Sequence, residues 1–370
     1  MKIAVVLNTS WNIYNFRMNL IWEFLQAGHE VHTIAPEDEY TWHLREAGCI
    51  HHAVRMDSRG ANPIKDSALV LELLLIYRKI RPDIIFHYTI KPNVYGTLAA
   101  SLLRIPVVNN VCGLGTAFLK KNLTSYIALF LYRVSFRFAR KVFFQNPDDL
   151  KLFIDNKLVP AASVDLLPGS GIDLEKFKPE IFRKNERFTF LLISRLITDK
   201  GVFEFIDAVK MLKAQGVNAD FKILGARDPE HKRGIQNHVI DQWITDRTID
   251  YLGTTDDVRK FIHEADCVVL PSYREGTPRA LLEAASLGKP IVTTDVPGCN
   301  HVVSHNYNGL LCRAKDAVDL AEKMLEMAGY DEGKLRRLGG NGRQKMVEHF
   351  DERLVIGKYL EASETLVHVA

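Results

Sequence analysis

Cysteine is scarce: the five that occur, at 49, 112, 267, 299 and 312, are scattered, with no Cys-x-x-Cys pair among them. Such spacing argues for a reducing compartment and against structural zinc. Long apolar runs are missing too. The nearest approach, residues 126–132, falls far short of the ~20 residues that a membrane span needs. Met1-Lys2 leads straight into a strand pattern, so no secretory leader is expected. There is no low-complexity tract. Acid is absent from one region in particular: from Arg104 to Lys141 there are seven basic residues and no acidic one. An anionic partner surface is expected there.

What is present is ordinary for a soluble globular protein, with 47% hydrophobic and 25% charged residues. A length of 370 residues suggests two domains, each able to bury a core. Residues 1–170 hold 19 Lys and Arg against 14 Asp and Glu, whereas the remainder holds 29 against 31, which gives the net charge of +3.

Short apolar runs alternate with helical patterns along the whole chain. KIAVVL at 2–7, EVHTIA at 30–35 and the runs at 50–54, 83–86, 107–110, 141–145 and 164–167 read as buried strands. Between them, helices are expected over 17–27, 40–47, 68–80, 94–103, 123–139 and 147–156, with 8–15 as a loop. A second series begins at 188–194 and continues through strands at 219–224, 249–252, 266–270 and 291–293. Its helices are expected over 202–215, 235–243, 256–264, 278–287, 317–328 and 331–350, and a last helix over about 352–366. The turn formers of PGSGID at 168–173 and the polar stretch after them mark a hinge. The fold class is α/β: two Rossmann-like, doubly wound domains, 1–170 and 171–351, facing across a cleft, with ligand loops at the carboxyl ends of parallel strands.

The stretch LPSYREGTPRALLEAASLGKPIV, at 270–292, is the most informative. An apolar strand ends at Pro271-Ser272, a loop follows, Thr277 reads as a helix N-cap with Pro278 just inside, and Gly288 reads as the stop. A helix start offers backbone donors and the positive end of its dipole, which suit a phosphate. Gly276 permits close approach. Glu275 and Glu283 bracket that start with seven residues between them. Carboxylates beside an anion site make sense if they accept hydrogen bonds from sugar hydroxyls, so a ligand with both diphosphate and sugar rings satisfies every group. Two solvated glutamates would give the same spacing, but the apolar strands on either side argue against that.

This stretch resembles the Glu-x7-Glu signature of retaining nucleotide-sugar glycosyltransferases of family 4, which have the GT-B fold. The resemblance implies that Glu275 holds hydroxyls of the donor sugar and Glu283 the nucleotide ribose. Arg195 and Lys200, at the end of the first strand of the second series, could be surface cations or a grip for a diphosphate. The same spacing recurs in family 4, where the pair neutralises the leaving diphosphate. Gly225 is a candidate for close approach to the nucleotide, with a simple turn as the competing reading, and Arg227 is a weaker one. The turn at 251–253 is a further candidate for the cleft edge, bordering the base, and the loop at 297–299 fits the family's loop near the donor without a role assigned to it. The resemblance also implies that the last helix crosses back onto the first domain.

In the first domain, NTSWNIYNFR at 8–17 lies where many family members have a glycine-rich loop, and this chain has no glycine there. Ser10, Asn12 and Arg17 become the acceptor-binding candidates. His87 and Lys91, in the next strand-end group, are expected to face the cleft as further acceptor-binding candidates, His87 also as a catalytic one, with a structural role as the competing reading for a lone histidine. NNVCGLG at 109–115 lacks the histidine that many relatives carry near the sugar. A retaining transfer tolerates this, because the departing phosphate oxygen can take the acceptor's proton. Tyr14-x-Phe16-Arg17-Met18, Pro36-x-Asp38-Glu39-Tyr40 and Gly113-Leu114-Gly115 look like bacterial enzymes that add N-acetylhexosamine or hexose to a polyprenyl-diphosphate-linked sugar.

No metal site is expected: Glu37-Asp38-Glu39 reads as a solvated turn, and the helix start, Arg195 and Lys200 supply the positive charge. No cofactor is expected, the UDP-sugar being a co-substrate. The basic and aromatic segment 118–141 suits an anionic membrane face, with no nucleic-acid motif present. The expected setting is cytoplasmic, at the inner face of the cell membrane. Two alternatives remain, a UDP-sugar epimerase of similar architecture and a non-catalytic sugar-nucleotide-binding protein.

Overall fold

The structure, a computed structural model, describes residues 1–57, 62–114, 123–181 and 184–367, without the side chains of 123 and 124. Gly115, Lys120 and Lys121 therefore lie outside the described residues. The chain divides into two compact units: Met1–Ser170 with Arg353–Ala370, and Gly171–Glu352.

The first unit contains a parallel sheet of seven described strands: β1 (Lys2–Val6), β2 (Glu30–Ala35), β3 (Ile50–Ala53), β4 (Ile84–Tyr88), β5 (Val107–Val111), β6 (Lys141–Phe144) and β7 (Val164–Leu166). Their order is β3-β2-β1-β4-β5-β6-β7, so the winding reverses between β1 and β4. β1 reads as a continuous apolar run because both of its faces are covered. Ile3, Val5 and Leu7 pack into one cluster with Phe24, Phe86 and Tyr359, and Ala4 and Val6 into another with Leu69 and Leu73. Tyr359 comes from the last helix, Glu352–Val367, and its hydroxyl accepts from Asn110 Nδ2 at 2.7 Å.

The second unit contains six described strands: β8 (Phe188–Ile193), β9 (Ala219–Leu224), β10 (Asp250–Tyr251), β11 (Cys267–Leu270), β12 (Ile291–Thr294) and β13 (Gly309–Cys312). All pair in parallel, in the order β10-β9-β8-β11-β12-β13, with the reversal between β8 and β11. Phe190 and Val269 face one core and Leu191 and Val268 the other, again sandwiching the central strands. The chain's entry into and exit from this unit are bonded to each other, Ile172 N donating to Phe350 O at 2.8 Å and Glu352 N to Ile172 O at 3.1 Å.

Three expectations about local structure are corrected. Residues 8–15 are not a loop: the first helix begins at Ser10, because Thr9 caps it by accepting from Asn12 N. The helix expected over 278–287 spans Arg279–Ser286, and Pro278, with extended ψ, occupies the N-cap position in place of Thr277. The pattern over 94–103 forms a π-helical turn, Pro92–Gly96, that runs into the α-helix Thr97–Leu102.

Candidate functional site

At a reversal of winding, the loops leaving two neighbouring strands diverge to opposite faces and open a crevice beyond their carboxyl ends. In the second unit those loops leave β8 and β11, and they carry Arg195, Lys200 and Glu275. The β11 loop is fixed by backbone bonds at both ends, Tyr273 N donating to Asp199 O at 2.9 Å and Glu275 N to Pro297 O at 3.1 Å. Gly201 is in the left-handed region with φ of +70°, and a Cβ there would lie 2.0 Å from Pro271 O. Only glycine lets the β8 loop lie this close to the exit of β11.

That contact sets the pair at the centre of the site: Lys200 Nζ donates to Glu275 Oε1, both side chains being largely buried. Arg195 is looser, 3.8 Å from Asp228 Oδ2 with its side chain 57% exposed. Gly225 brings the end of β9 to the same place, since a Cβ on it would meet Ser194 O at 1.8 Å. Its N–H donates to Gly253 O at 2.8 Å, and its carbonyl accepts from the Tyr251 hydroxyl at 2.9 Å. Arg227 lies with its guanidinium carbon 4.7 Å from the centre of the Tyr251 ring and is paired with Asp241 at 2.7 Å.

Gly276, Thr277 and Pro278 form the turn into the helix Arg279–Ser286, and Glu283 lies one turn along it. Burial pushes the Glu283 carboxyl up, against the pull of Arg279. Arg279 Nε donates to Glu283 Oε1 at 3.0 Å, and its Nη1 donates to Gly171 O at 2.8 Å. Sequence reasoning missed Arg279, although its four-residue spacing from Glu283 on one helix face was the available signal. Glu204 was also missed. It accepts from the Tyr273 hydroxyl at 2.6 Å and supports the β11 loop from the helix Val202–Ala214. Nothing in its spacing marks it.

The first-unit candidates separate. Ser10 is buried at the helix start, donating to Pro36 O at 3.0 Å and accepting from Thr41 Oγ1 at 3.1 Å. Asn12 is half-buried in the first turn and uses its backbone N–H in the Thr9 cap. Arg17, expected at the start of a helix, lies two turns into one that begins at Ser10, and is buried. Lys91 is paired with Asp66 at 2.7 Å and lines a cavity of about 850 Å³ with Pro36, Arg55, Met56 and Glu72.

His87 requires correction. It does not face outward: it is fully buried, with Nε2 2.8 Å from the Tyr77 hydroxyl and Nδ1 3.2 Å from Asn109 Oδ1. Burial lowers its pKa to about 3, which leaves a neutral structural ring. Glu37 and Asp38 also have local partners: Glu37 pairs with Arg45, and Asp38 accepts from Trp11 N and Tyr40 N. Among the described residues no group of three or more His, Cys, Asp or Glu is placed to hold a metal.

Known proteins match both units. A family model described as "Glycosyl transferases group 1" covers residues 173–345, and one described as "Glycosyl transferase 4-like" covers 2–146. The chain is 31% identical to the N,N'-diacetylbacillosaminyl-diphospho-undecaprenol alpha-1,3-N-acetylgalactosaminyltransferase of Campylobacter jejuni, over 99% of each chain. It is 26% identical to the UDP-Gal:alpha-D-GlcNAc-diphosphoundecaprenol alpha-1,3-galactosyltransferase of Escherichia coli, over 79% of this chain and 78% of that one. Among solved structures, Anabaena HepE in complex with UDP and glucose matches with a TM-score of 0.80 at 18% identity, over 99% of this chain and 100% of that one. Sucrose-phosphate synthase of Thermosynechococcus elongatus matches with a TM-score of 0.81 at 18% identity, over 100% of both. At that identity the likeness shows the fold alone, which is GT-B. The relatives named are glycosyltransferases, which leaves the epimerase alternative without a supporting observation.

Proposed function

This chain belongs to the group 1 glycosyltransferases, and on that premise we propose that it moves an N-acetylhexosamine or hexose from a UDP-sugar to a polyprenyl-diphosphate-linked saccharide, with retention of anomeric configuration. The product would serve surface-polysaccharide or glycoprotein-glycan assembly. The second unit takes the donor and the first unit the acceptor. Support for this reading comes above all from the Lys200–Glu275 pair, held at the carboxyl ends of β8 and β11.

Each member of that pair neutralises the other. When the donor enters, its sugar hydroxyls donate to Glu275, and Lys200 is released toward the diphosphate, where Arg195 adds a second cation. Glu283 takes the ribose hydroxyls, so that its carboxylate exchanges one donor, Arg279, for others. Departure of UDP breaks the bond from the anomeric carbon to the phosphate oxygen. The acceptor hydroxyl forms the new bond on the same face, through an oxocarbenium-like state, and passes its proton to the leaving phosphate oxygen. No side chain need act as base, in keeping with a His87 ring that is buried and committed to Tyr77 and Asn109.

Lys200, Arg195 and the start of the helix at Arg279 supply positive charge to the departing diphosphate, so the reaction should need no metal. The decisive experiment follows UDP release from a panel of UDP-sugars with and without a lipid-linked saccharide, in chelator and in added magnesium or manganese. Release that needs the saccharide and ignores the chelator supports the reading. Conversion of the donor without an acceptor would overturn the transfer, and rescue by metal would overturn metal independence.

The acceptor's lipid would keep the enzyme at the cytoplasmic membrane surface. The helix Leu123–Ser135 exposes Tyr126, Ile127 and Phe130, and Phe138 is exposed among Arg137 and Arg140. Aromatics among cations suit an anionic bilayer surface. Among the described residues no helix is long and apolar enough to cross a membrane. Changing Lys120, Lys121, Arg137 and Arg140 together to Glu should release the protein from anionic liposomes, and undiminished binding would refute this placement.

A further inference from the structure

The first sheet carries, at its own reversal of winding, a buried cation with no acid beside it among the described residues. Arg17 is 5% exposed on the helix Ser10–Gln26. Its guanidinium lies 4.4 Å over the Tyr88 ring, Nη2 is 4.0 Å from the Cys112 sulfur, and Nη1 donates to Phe16 O at 3.3 Å. Nε has no hydrogen-bond partner among the described residues. The titratable groups acting most strongly on it are Tyr88, Cys112 and Tyr359, none of them a carboxylate. Taking a guanidinium out of water is costly unless a counter-charge and hydrogen bonds offset it. A ligand can provide both.

The surroundings point the same way. Asn8 Oδ1 and Thr89 Oγ1 are also buried and, among the described residues, without partners. These residues lie just beyond the carboxyl ends of neighbouring strands, since Val6 of β1 is opposite His87 of β4. Thr89 has φ of +64°, a conformation that β-branched residues seldom adopt. Asn8, Thr89 and Cys112 are only partly buried, so the rim of this cluster reaches solvent.

We propose that Arg17, with Asn8 and Thr89 at its rim, forms an anion subsite at the β1/β4 reversal that takes a diphosphate, the group joining saccharide to lipid in the acceptor. The planar fork of a guanidinium matches two phosphoryl oxygens. The Thr89 hydroxyl can donate to a third, and the Asn8 amide, turned over, presents N–H in place of oxygen. This inference rests on the acceptor chemistry proposed above and assigns its charged part to particular side chains.

The test uses the full chain with saturating UDP, so that the second unit's diphosphate site is filled, and titrates in inorganic diphosphate or a short prenyl diphosphate by calorimetry. The wild type should bind, and Arg17→Met should weaken binding at least about tenfold while UDP affinity stays within about twofold. The ligand-free Arg17→Met protein should melt no lower than the wild type, because an uncompensated buried charge has gone. A purely structural Arg17 predicts the reverse, a lower melting temperature with diphosphate binding retained. Binding by Arg17→Met within about twofold of the wild type overturns the proposal, as does a wild type that binds neither probe. If Arg17→Met does not fold, Arg17→Lys keeps the charge and loses the fork, and unchanged affinity in that variant is equally fatal. Tighter binding of the prenyl compound assigns the subsite to the lipid-linked acceptor, and equal binding assigns it to free diphosphate. None of these readouts requires turnover, so the subsite and the transfer reaction can fail independently.

Discussion

Between β8 and β11, Lys200 is paired with Glu275, Arg279 with Glu283, and Arg195 lies within reach of Asp228. Between β1 and β4, the equivalent position in the other sheet, Arg17 rests on a tyrosine ring and a thiol. Both sheets reverse between the first and fourth strands of their own series. The topology is therefore shared, and what differs is where the compensating charge comes from. A pair that neutralises itself holds its loops together without a ligand's charge and can exchange partners with an incoming donor at little cost in desolvation. A lone buried cation carries that cost until its ligand arrives, which ties the unit's stability to occupancy.

The largest effect that would break this comparison lies in the paired site. Lys200→Ala and Glu275→Ala should each lower turnover by about 10²- to 10³-fold, the range for removing one preorganised electrostatic contact to a developing charge. UDP release in the presence of lipid-linked saccharide measures it. Because the two groups share one interaction, the double variant should lose less than the product of the single losses. Near-normal turnover in either single variant would remove the pair from the mechanism.

Next in size is the backbone contact that builds the pair. Gly201→Ala places a Cβ 2.0 Å from Pro271 O at φ of +70°, whereas Gly216→Ala, at φ of +74°, meets nothing within 4 Å. Both substitutions carry the left-handed penalty, about 1 to 2 kcal/mol. Only the first must also push the β8 and β11 loops apart, so it should melt distinctly lower than Gly216→Ala and lose turnover with it. Equal melting temperatures for the two variants would mean that the loops yield without cost.

How much of this was legible in the sequence depends on what each signal rests on. KIAVVL and CVVL announce buried parallel strands because both faces of such a strand are covered, so the run of apolar residues needs no partner to be read. Glu275 and Glu283 are legible for a similar reason, their spacing being a property of one loop and one helix. Ser10 to Asn15 were not. The polar letters of NTSWNIYNFR suggest a loop, and only Thr9 as a cap, with the burial of Ile13 and Arg17 against the sheet, makes a helix of them. His87 was misread because its partners, Tyr77 and Asn109, come from other elements that pairing of β4 with β5 and packing of the helix Pro63–Ile80 bring to it. That no carboxylate among the described residues stands beside Arg17 has no local sign at all.

The smallest effect separates the two units by acid. His32, His51, His52 and His87 of the first unit are all held below the ordinary histidine value, each chiefly by burial, with His52 lowered to about 4 and His87 to about 3. A ring kept neutral in the folded chain takes up a proton more readily once unfolded. Its contribution to stability is therefore complete above about pH 6.5 and is lost as pH falls from there toward the folded value. The second unit has His263 lowered in the same sense, while its buried Lys289, depressed to about 8, stays protonated throughout that range in both states and adds no slope. Between pH 7 and pH 5 the first unit should thus lose stability faster than the second, each kcal/mol lowering its melting temperature by about 2 to 4 °C. Limited proteolysis with peptide mapping at the two pH values reads this directly, because new cleavage sites at pH 5 should fall mostly within 1–170. His52→Gln should reduce the difference, since one of the protons that drive acid unfolding no longer has a place to bind. Cleavage spread evenly over both units, or confined to 171–352, would show that the buried histidines of the first sheet do not govern its response to acid.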